Sequence, residues 1–329
     1  MSDGPLVIAV PSKGRLQENA AAFFARAGLP LSQSRGSRDY RGTLVGIPDA
    51  EVMFLSAGEI VAQLASGGAH LGVTGEDLLR EGVADADRRL ELITGLGFGH
   101  ANVVVAVPQS WIDVRSMADL EEVASDMRAR HGRRLRVATK YANLTRRFFA
   151  AQGVVDYRIV ESLGATEAAP QSGAADLIVD ITTTGATLAA NGLKVLDDGT
   201  ILRSEANLVA SLGAPWGARA LAAARTVLSR IAAEEASRTT REVRAGSTGG
   251  QPDLVGLGKR FGAAPPAGRL GGSELVLHCP AGSVFDLVDA LLANGAQDIT
   301  VRQLDYVFRT ADPLGERLLR RLDRTPPAP

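Results

Sequence analysis

Residues 176–193 read DLIVDITTTGATLAANGL. Leu177, Ile178 and Val179 are apolar and mostly β-branched, the composition of a buried parallel strand. Asp180 stands where such a strand should end. Thr182, Thr183, Thr184 and Gly185 then form a hydroxyl-rich turn, and Ala186 to Asn191 reads as a short helix closed by Gly192 at its C-cap. Strand, polar turn and helix in that order place backbone N–H groups, Thr hydroxyls and a helix N-terminus around one small volume. That volume suits a phosphate, because the donors are already aimed and the helix dipole favours an anion. Charge-assisted hydrogen bonds contribute roughly 1.5–3 kcal/mol each, so about three would hold a phosphomonoester. The competing reading is a plain Thr-rich helix cap, since Thr is common at turns.

The same order recurs outward from this stretch. Leu6 to Val10 reads as a buried strand, followed by Pro11-Ser12-Lys13-Gly14-Arg15-Leu16 and a helix from about Gln17 to Ala27, ended by Gly28. Lys13 and Arg15 supply two cations, Gly14 permits close backbone approach and Ser12 offers a hydroxyl, a set that suits a polyphosphate at the C-terminal end of a strand. A solvated basic turn fits those residues equally well. Glu51–Leu55 and His70–Thr74 read as strands, Gly58–Ser66 as a helix, and Gly75-Glu76-Asp77 opens another helix. Glu76 and Asp77 suit a divalent cation or a sugar hydroxyl, but acids there more often complement the helix dipole. Ser116 is an N-cap candidate for a helix over Met117–His131. Leu135–Ala138 is a strand that runs into Thr139-Lys140-Tyr141-Ala142-Asn143, with Tyr141 available to stack on a base or ribose. Ile159–Leu163 leads to Thr166 and Glu167, where a helix to Gln171 is expected.

This alternation gives an α/β fold with ligand loops on one sheet edge. Two extended crossings, near residues 96–106 and 193–211, divide it into two lobes with a ligand cleft between them. Residues 1–100 plus 195–225 form the first lobe, and residues 101–194 form a second, inserted lobe that carries the Thr-rich turn. Residues 226–329 form a linker and a small α+β, ferredoxin-like domain for regulation or assembly. Its elements are strands near Arg241–Arg244, Glu274–Cys279 and Ile299–Phe308, a helix over Ser283–Ala293, and a frayed TPPAP tail.

The 329 residues carry a net charge of −1 and only 5% aromatic residues, which excludes a global basic field or a stacking platform for nucleic acid. Cys279 is the only cysteine and the four histidines are scattered, so neither a disulfide framework nor a Cys- or His-based metal site is expected. His100 is expected to be structural. No stretch approaches a membrane span, and a cytoplasmic location is expected.

The runs PSKGRL, GVTGEDLL, LGFGHANVVVAVP, RVATKYANLTRRFF and GATEAAPQSGAADLIVDITTTGATLAANGL occur in this order over residues 6–212. Together they resemble ATP phosphoribosyltransferase, the first enzyme of L-histidine biosynthesis. The resemblance implies a two-lobed, periplasmic-binding-protein-like fold. It also implies a reaction in which N1 of the ATP adenine attacks C1 of phosphoribosyl pyrophosphate and pyrophosphate leaves. By the same resemblance Thr183, Thr184, Gly185, Ala186 and Thr187 hold the 5′-phosphate, and Asp180 and Glu167 face the ribose hydroxyls or a metal. Ser12, Lys13, Gly14 and Arg15 meet pyrophosphate or ATP phosphates, with Tyr141 beside the nucleotide. Mg²⁺ is implied as the cofactor, carried by substrate phosphates with few protein ligands. The family's LRAxDIP-like motif is replaced here by Leu55-Ser56-Ala57-Gly58-Glu59-Ile60-Val61, with Ser56 in the place of an Arg, whose charge Arg35, Arg38 or Arg41 could supply. Residues 274–308 resemble half of the family's histidine-binding C-terminal domain. Feedback inhibition by L-histidine, a homo-oligomer (dimer or hexamer) and a synthetase-like regulatory subunit are the partners implied. The alternative is a two-lobed effector- or solute-binding protein without turnover.

Overall fold

The computed structural model describes residues 3–33, 40–162, 164–246, 253–266 and 274–324. The chain begins with β1 (Leu6–Pro11), α1 (Gly14–Arg26), β2 (Leu31–Gln33), β3 (Arg41–Leu44), β4 (Ala50–Leu55) and α2 (Ala57–Ser66). β5 (Leu71–Gly75), α3 (Glu76–Gly82), α4 (Ala86–Arg89) and β6 (Leu90–Gly95) follow. The second lobe runs through β7 (Ala101–Pro108), α5 (Met117–His131), β8 (Leu135–Thr139), α6 (Ala142–Ala151) and β9 (Tyr157–Glu161). It closes with β10 (Leu177–Thr182), α7 (Ala186–Ala190) and β11 (Leu193–Ser204). β12 (Ala206–Ser211) and α8 (Ala218–Thr239) return to the first lobe.

The first sheet has the order β2-β3-β4-β1-β5-β12-β6, and the second β11-β7-β10-β8-β9. Ile8 pairs with Val52 and Leu71 on its two sides, both in parallel register. Such strands are buried on both faces: Leu6, Ile8 and Val10 pack with Phe23, Phe24 and the α8 face of Val227, Leu228 and Ile231, while Ala9 packs with Ile60 and Leu64 of α2. In the second sheet Leu177 and Val179 join Val103, Val105, Leu135 and Val137 in one core.

Two crossings link the lobes. They are laced together where Ala206 N–H donates to Phe98 O at 2.9 Å and Gly97 N–H donates to a Glu205 carboxylate oxygen at 3.0 Å. β11 pairs with β7 over Leu193–Ser204, so the boundary expected at 194/195 falls inside a strand of the second sheet.

Several local expectations shift. α1 begins at Gly14, three residues before Gln17, which makes Lys13 its N-cap. β10 runs past Asp180 to Thr182, because Asp180 and Thr182 still pair with Val104 and Asn102 of β7. The helix expected from Glu167 to Gln171 is only a 3-10 turn over Thr166–Ala168. Ser116 caps α5 through a box with Asp119, as its position suggests.

α8 runs without a loop into β13 (Thr240–Gly246), the centre of an antiparallel sheet β14-β13-β15. α9 (Leu254–Phe261), β14 (Glu274–Pro280), α10 (Val284–Ala293) and β15 (Gln297–Gln303) complete this α+β unit, in which Phe261, Leu277, Leu287 and Leu291 share a core. α9 lies where the sequence reads as linker. After β15 the chain returns to the first lobe. Helix α11 (Pro313–Arg324) sets Leu314 and Leu318 into the first-lobe core, and Arg317 and Arg321 pair with Glu91 at 2.6 and 2.7 Å. The TPPAP tail lies outside the described residues.

Candidate functional site

The parallel pairings orient β1, β4 and β5 so that their C-terminal ends share one edge of the first sheet. β8, β9 and β10 do the same in the second. β11, antiparallel to β7 and so parallel to β10, ends at that same edge and passes directly into β12. The strand-end turns of both lobes therefore border one hinge, where an α/β clamp binds its ligand.

On the first lobe, Ser12 is tied by its N–H to Leu55 O at 2.9 Å. Lys13 is extended (φ −160°) and makes no side-chain cap, and no acid stands in the first turn of α1. Gly14 takes φ +72°, a conformation that favours glycine, and the space beyond its Cα is open. Lys13, Gly14 and Arg15 are exposed, and among the described residues neither cation has an ion-pair partner. The N-terminal N–H groups of α1 thus stand beside two uncommitted cations. Next door, Ser56 closes α2 in a capping box: its N–H donates to Glu59 at 2.8 Å, and its hydroxyl accepts from Glu59 N–H at 3.4 Å. Ser56, which the sequence resemblance sets in the place of an Arg, is thus spent on capping α2. Arg41 pairs with Glu51 at 3.4 Å, and Arg35 and Arg38 lie outside the described residues.

On the second lobe the Thr-rich turn divides its hydroxyls between structure and solvent. Thr182 Oγ1 accepts from Gly185 N–H at 2.8 Å, and Thr183 Oγ1 donates to His100 O at 3.0 Å. Thr184 Oγ1 accepts weakly from Ala186 N–H at 3.4 Å, and both Thr184 and Thr187 are exposed. Gly185, at φ +78°, has open space beyond its Cα. His100 is exposed rather than packed; its carbonyl, not its ring, is the group that anchors the turn.

Asp180 lies beside the turn, and its Oδ1 accepts from Ile181 N–H at 2.8 Å. Burial pushes its carboxyl above the usual range and Glu167 adds to the rise, against the Ile181 N–H, the Lys140 ammonium and the Thr166 hydroxyl. Asp180, Glu167, Thr166 and Lys140 thus form one electrostatic cluster, brought together from the ends of β8 and β10 and the 3-10 turn.

The structure does not place Tyr141 at the cleft surface. Its side chain is 1% exposed and its hydroxyl donates to Asp77 Oδ2 at 2.7 Å. Burial and the neighbouring Asp77 carboxylate push the phenol pKa far up. Asp77 is equally committed. Its Oδ1 accepts from Ser204 Oγ at 2.9 Å and its N–H donates to the same Ser204 Oγ at 3.0 Å, so both carboxylate oxygens are engaged within the protein. Sequence reasoning missed Glu81, whose carboxylate accepts from Asn143 N–H at 2.9 and 3.0 Å and from Leu144 N–H at 2.9 Å, capping α6 from the other lobe. Nothing in the run DLLREG marks Glu81 for that task, because its partner is 62 residues away.

Two helix-covered α/β sheets, joined by a two-stranded hinge and turning polar strand ends toward it, define a two-lobed ligand-clamping α/β protein. The family model HisG, described as ATP phosphoribosyltransferase, matches residues 56–232. Curated relatives named ATP phosphoribosyltransferase include those of Afipia carboxidovorans and Nitrobacter hamburgensis. They are 60% and 61% identical, each over 95% of this chain and 97% of the relative. Among solved structures, the ATP phosphoribosyl transferase (HisG:HisZ) complex from Thermotoga maritima is 26% identical, with a TM-score of 0.49, over 63% of this chain and 87% of that one. The chain belongs to the ATP phosphoribosyltransferase family.

Proposed function

We propose that the two sets of strand-end turns divide the work of joining ATP to phosphoribosyl pyrophosphate, the committing step of L-histidine biosynthesis. The bond from adenine N1 to the ribose C1 forms as the C1–O bond breaks, and the electron pair leaves with pyrophosphate. A neutral ring nitrogen attacks, so catalysis consists of orientation and charge stabilisation more than acid–base work. Thr183, Thr184, Gly185, Ala186 and Thr187 hold the 5′-phosphate. Lys13 and Arg15, with Ser12 and the open Gly14, receive pyrophosphate or the ATP phosphates. Asp180 and Glu167 face the ribose hydroxyls and the developing positive charge on the sugar. The observation that carries this assignment is the uncapped, acid-free start of α1 with its two cations, unpaired among the described residues, set on the same hinge as the Thr-rich turn.

Asp180 and Glu167 also suit Mg²⁺. Their like charges repel each other, one is partly buried, and Mg²⁺ takes one or two carboxylates while keeping water and substrate phosphates. When bound, the ion would neutralise the leaving pyrophosphate. The α+β C-terminal unit is the place for L-histidine feedback, and the working form is a homo-oligomer.

The test is a coupled absorbance assay of the purified chain with ATP, phosphoribosyl pyrophosphate, Mg²⁺ and pyrophosphatase, with and without histidine. Turnover that histidine suppresses supports both assignments. Turnover indifferent to histidine, with no binding by calorimetry, removes the feedback role and leaves the unit to assembly. No turnover by the chain alone, restored by a synthetase-like subunit, makes that subunit an obligatory partner. No turnover under either condition favours the binding-protein alternative.

A further inference from the structure

The turn after β8 carries Lys140 into the electrostatic cluster around Asp180, yet the residue that follows it is buried against the other lobe. Lys140 Nζ lies 5.1 Å from the centroid of the Tyr141 ring. The Tyr141 hydroxyl reaches Asp77 of α3, and Asp77 is held in turn by Ser204, the last residue of β11 before the hinge. One hydroxyl-to-carboxylate contact therefore joins three parts: the first lobe, the crossing and a cleft turn of the second lobe. Around it, Glu81 caps α6 and Arg147 Nη2 donates to Arg80 O at 2.5 Å, so α3 meets the start of α6 along its length.

We infer that Tyr141 is a positioning residue: its hydroxyl, fixed by Asp77 and Ser204, sets the closure that holds the second-lobe turn carrying Lys140, beside Asp180, against α3 of the first lobe. This rests on the assignment of the Asp180 cluster to the phosphoribosyl donor. A packing role alone would need only the ring, since phenylalanine fills nearly the same volume. The hydroxyl is what answers Asp77 Oδ2, and a buried carboxylate oxygen that loses its donor is costly. Losing it therefore releases the turn and the α3–α6 contact without emptying the core.

The test is Tyr141→Phe, with Asp77→Asn as a second variant that keeps an oxygen to accept the hydroxyl. Two readouts are taken: steady-state constants for both substrates, and hydrogen exchange at the Asn143 and Leu144 amides, which Glu81 protects. Positioning predicts that Tyr141→Phe lowers kcat about tenfold with both KM values within about twofold, and speeds exchange at the two amides at least fivefold. Asp77→Asn should fall between the two. A raised KM for ATP with kcat preserved would mean that the phenol touches the nucleotide, and overturns the inference. So would a lower melting temperature with both kinetic constants unchanged, the mark of a purely structural residue. If the unaltered chain gives no product even with a synthetase-like subunit, the assignment of the cleft fails separately. Exchange then decides the contact alone: faster exchange supports it, and unchanged exchange overturns it.

Discussion

Two turns of this molecule look alike in sequence and differ in the structure. Ser12-Lys13-Gly14-Arg15 and Lys140-Tyr141-Ala142-Asn143 each follow a buried strand, open a helix and carry cationic and polar side chains. In the first, Lys13 and Arg15 are exposed and the helix start has no side-chain cap. In the second, Tyr141 is bonded to Asp77, and the Asn143 and Leu144 amides to Glu81. The first turn leaves its cations and its helix-start N–H groups open. In the second, the opposite lobe takes the Tyr141 hydroxyl and the Asn143 and Leu144 amides. Polar residues at a strand end thus announce donors, while the tertiary fold decides whether a ligand or the protein itself takes them.

The largest expected effect is at the open turn. Lys13→Ala removes a charge that nothing among the described residues engages, so the fold should hold while binding fails. A charge-assisted contact is worth roughly 1.5–3 kcal/mol, or about ten- to hundredfold in kcat/KM. Steady-state kinetics beside a melting curve check this; unchanged kinetics would place the open turn outside the site. The opposite pattern is expected at the committed turn. Glu81→Ala strips the α6 cap and should lower unfolding free energy by about 1–2 kcal/mol in urea titration. If stability is unchanged, the contrast between the two turns collapses.

A smaller effect sharpens the comparison within a single loop. Thr182 is consumed by Gly185, whereas Thr187 is exposed. Thr187→Val should raise KM for phosphoribosyl pyrophosphate about fivefold, the worth of one neutral hydrogen bond of about 1 kcal/mol, with KM for ATP steady. A defect confined to ATP would reverse the two subsites.

The strands and turns of the cleft were legible because buried parallel strands are continuous apolar runs, and glycine and hydroxyl residues punctuate them. β10 extends beyond Asp180 because cross-strand pairing with β7 outweighs the local polarity of Asp180, Ile181 and Thr182. The commitment of Tyr141 could not be read, since Asp77 lies 64 residues away in the other lobe. α11 is different. Leu314, Leu318 and Leu322 recur at helical spacing and all pack on the first lobe, so its signal was present in the chain. Its position after the α+β unit concealed where that apolar stripe docks.

His70 extends the contrast to a buried polar group far from both turns. It is 4% exposed, and its Nδ1 accepts the Val7 N–H at 3.1 Å, which fixes the neutral tautomer with Nε2–H toward Pro215 O at 3.3 Å. Burial holds its pKa below the ordinary value of about 6.5, although the Pro215 carbonyl opposes the shift. The unfolded chain therefore binds the proton first. Stability attached to the neutral ring is complete above about pH 6.5 and is lost as pH falls from there toward the depressed folded value. Asp176 does not blur this window. Burial works against its ionised form, but hydrogen bonds from Arg136 and Arg133 hold its carboxyl at about 2, and its contribution fades only in stronger acid. The urea midpoint should drop between pH 7.5 and 5.5 in the unaltered chain, and the drop should shrink in His70→Gln. An equal drop in both would remove His70 from the committed groups, because protonation of Nδ1 would then leave the Val7 N–H no worse placed than before.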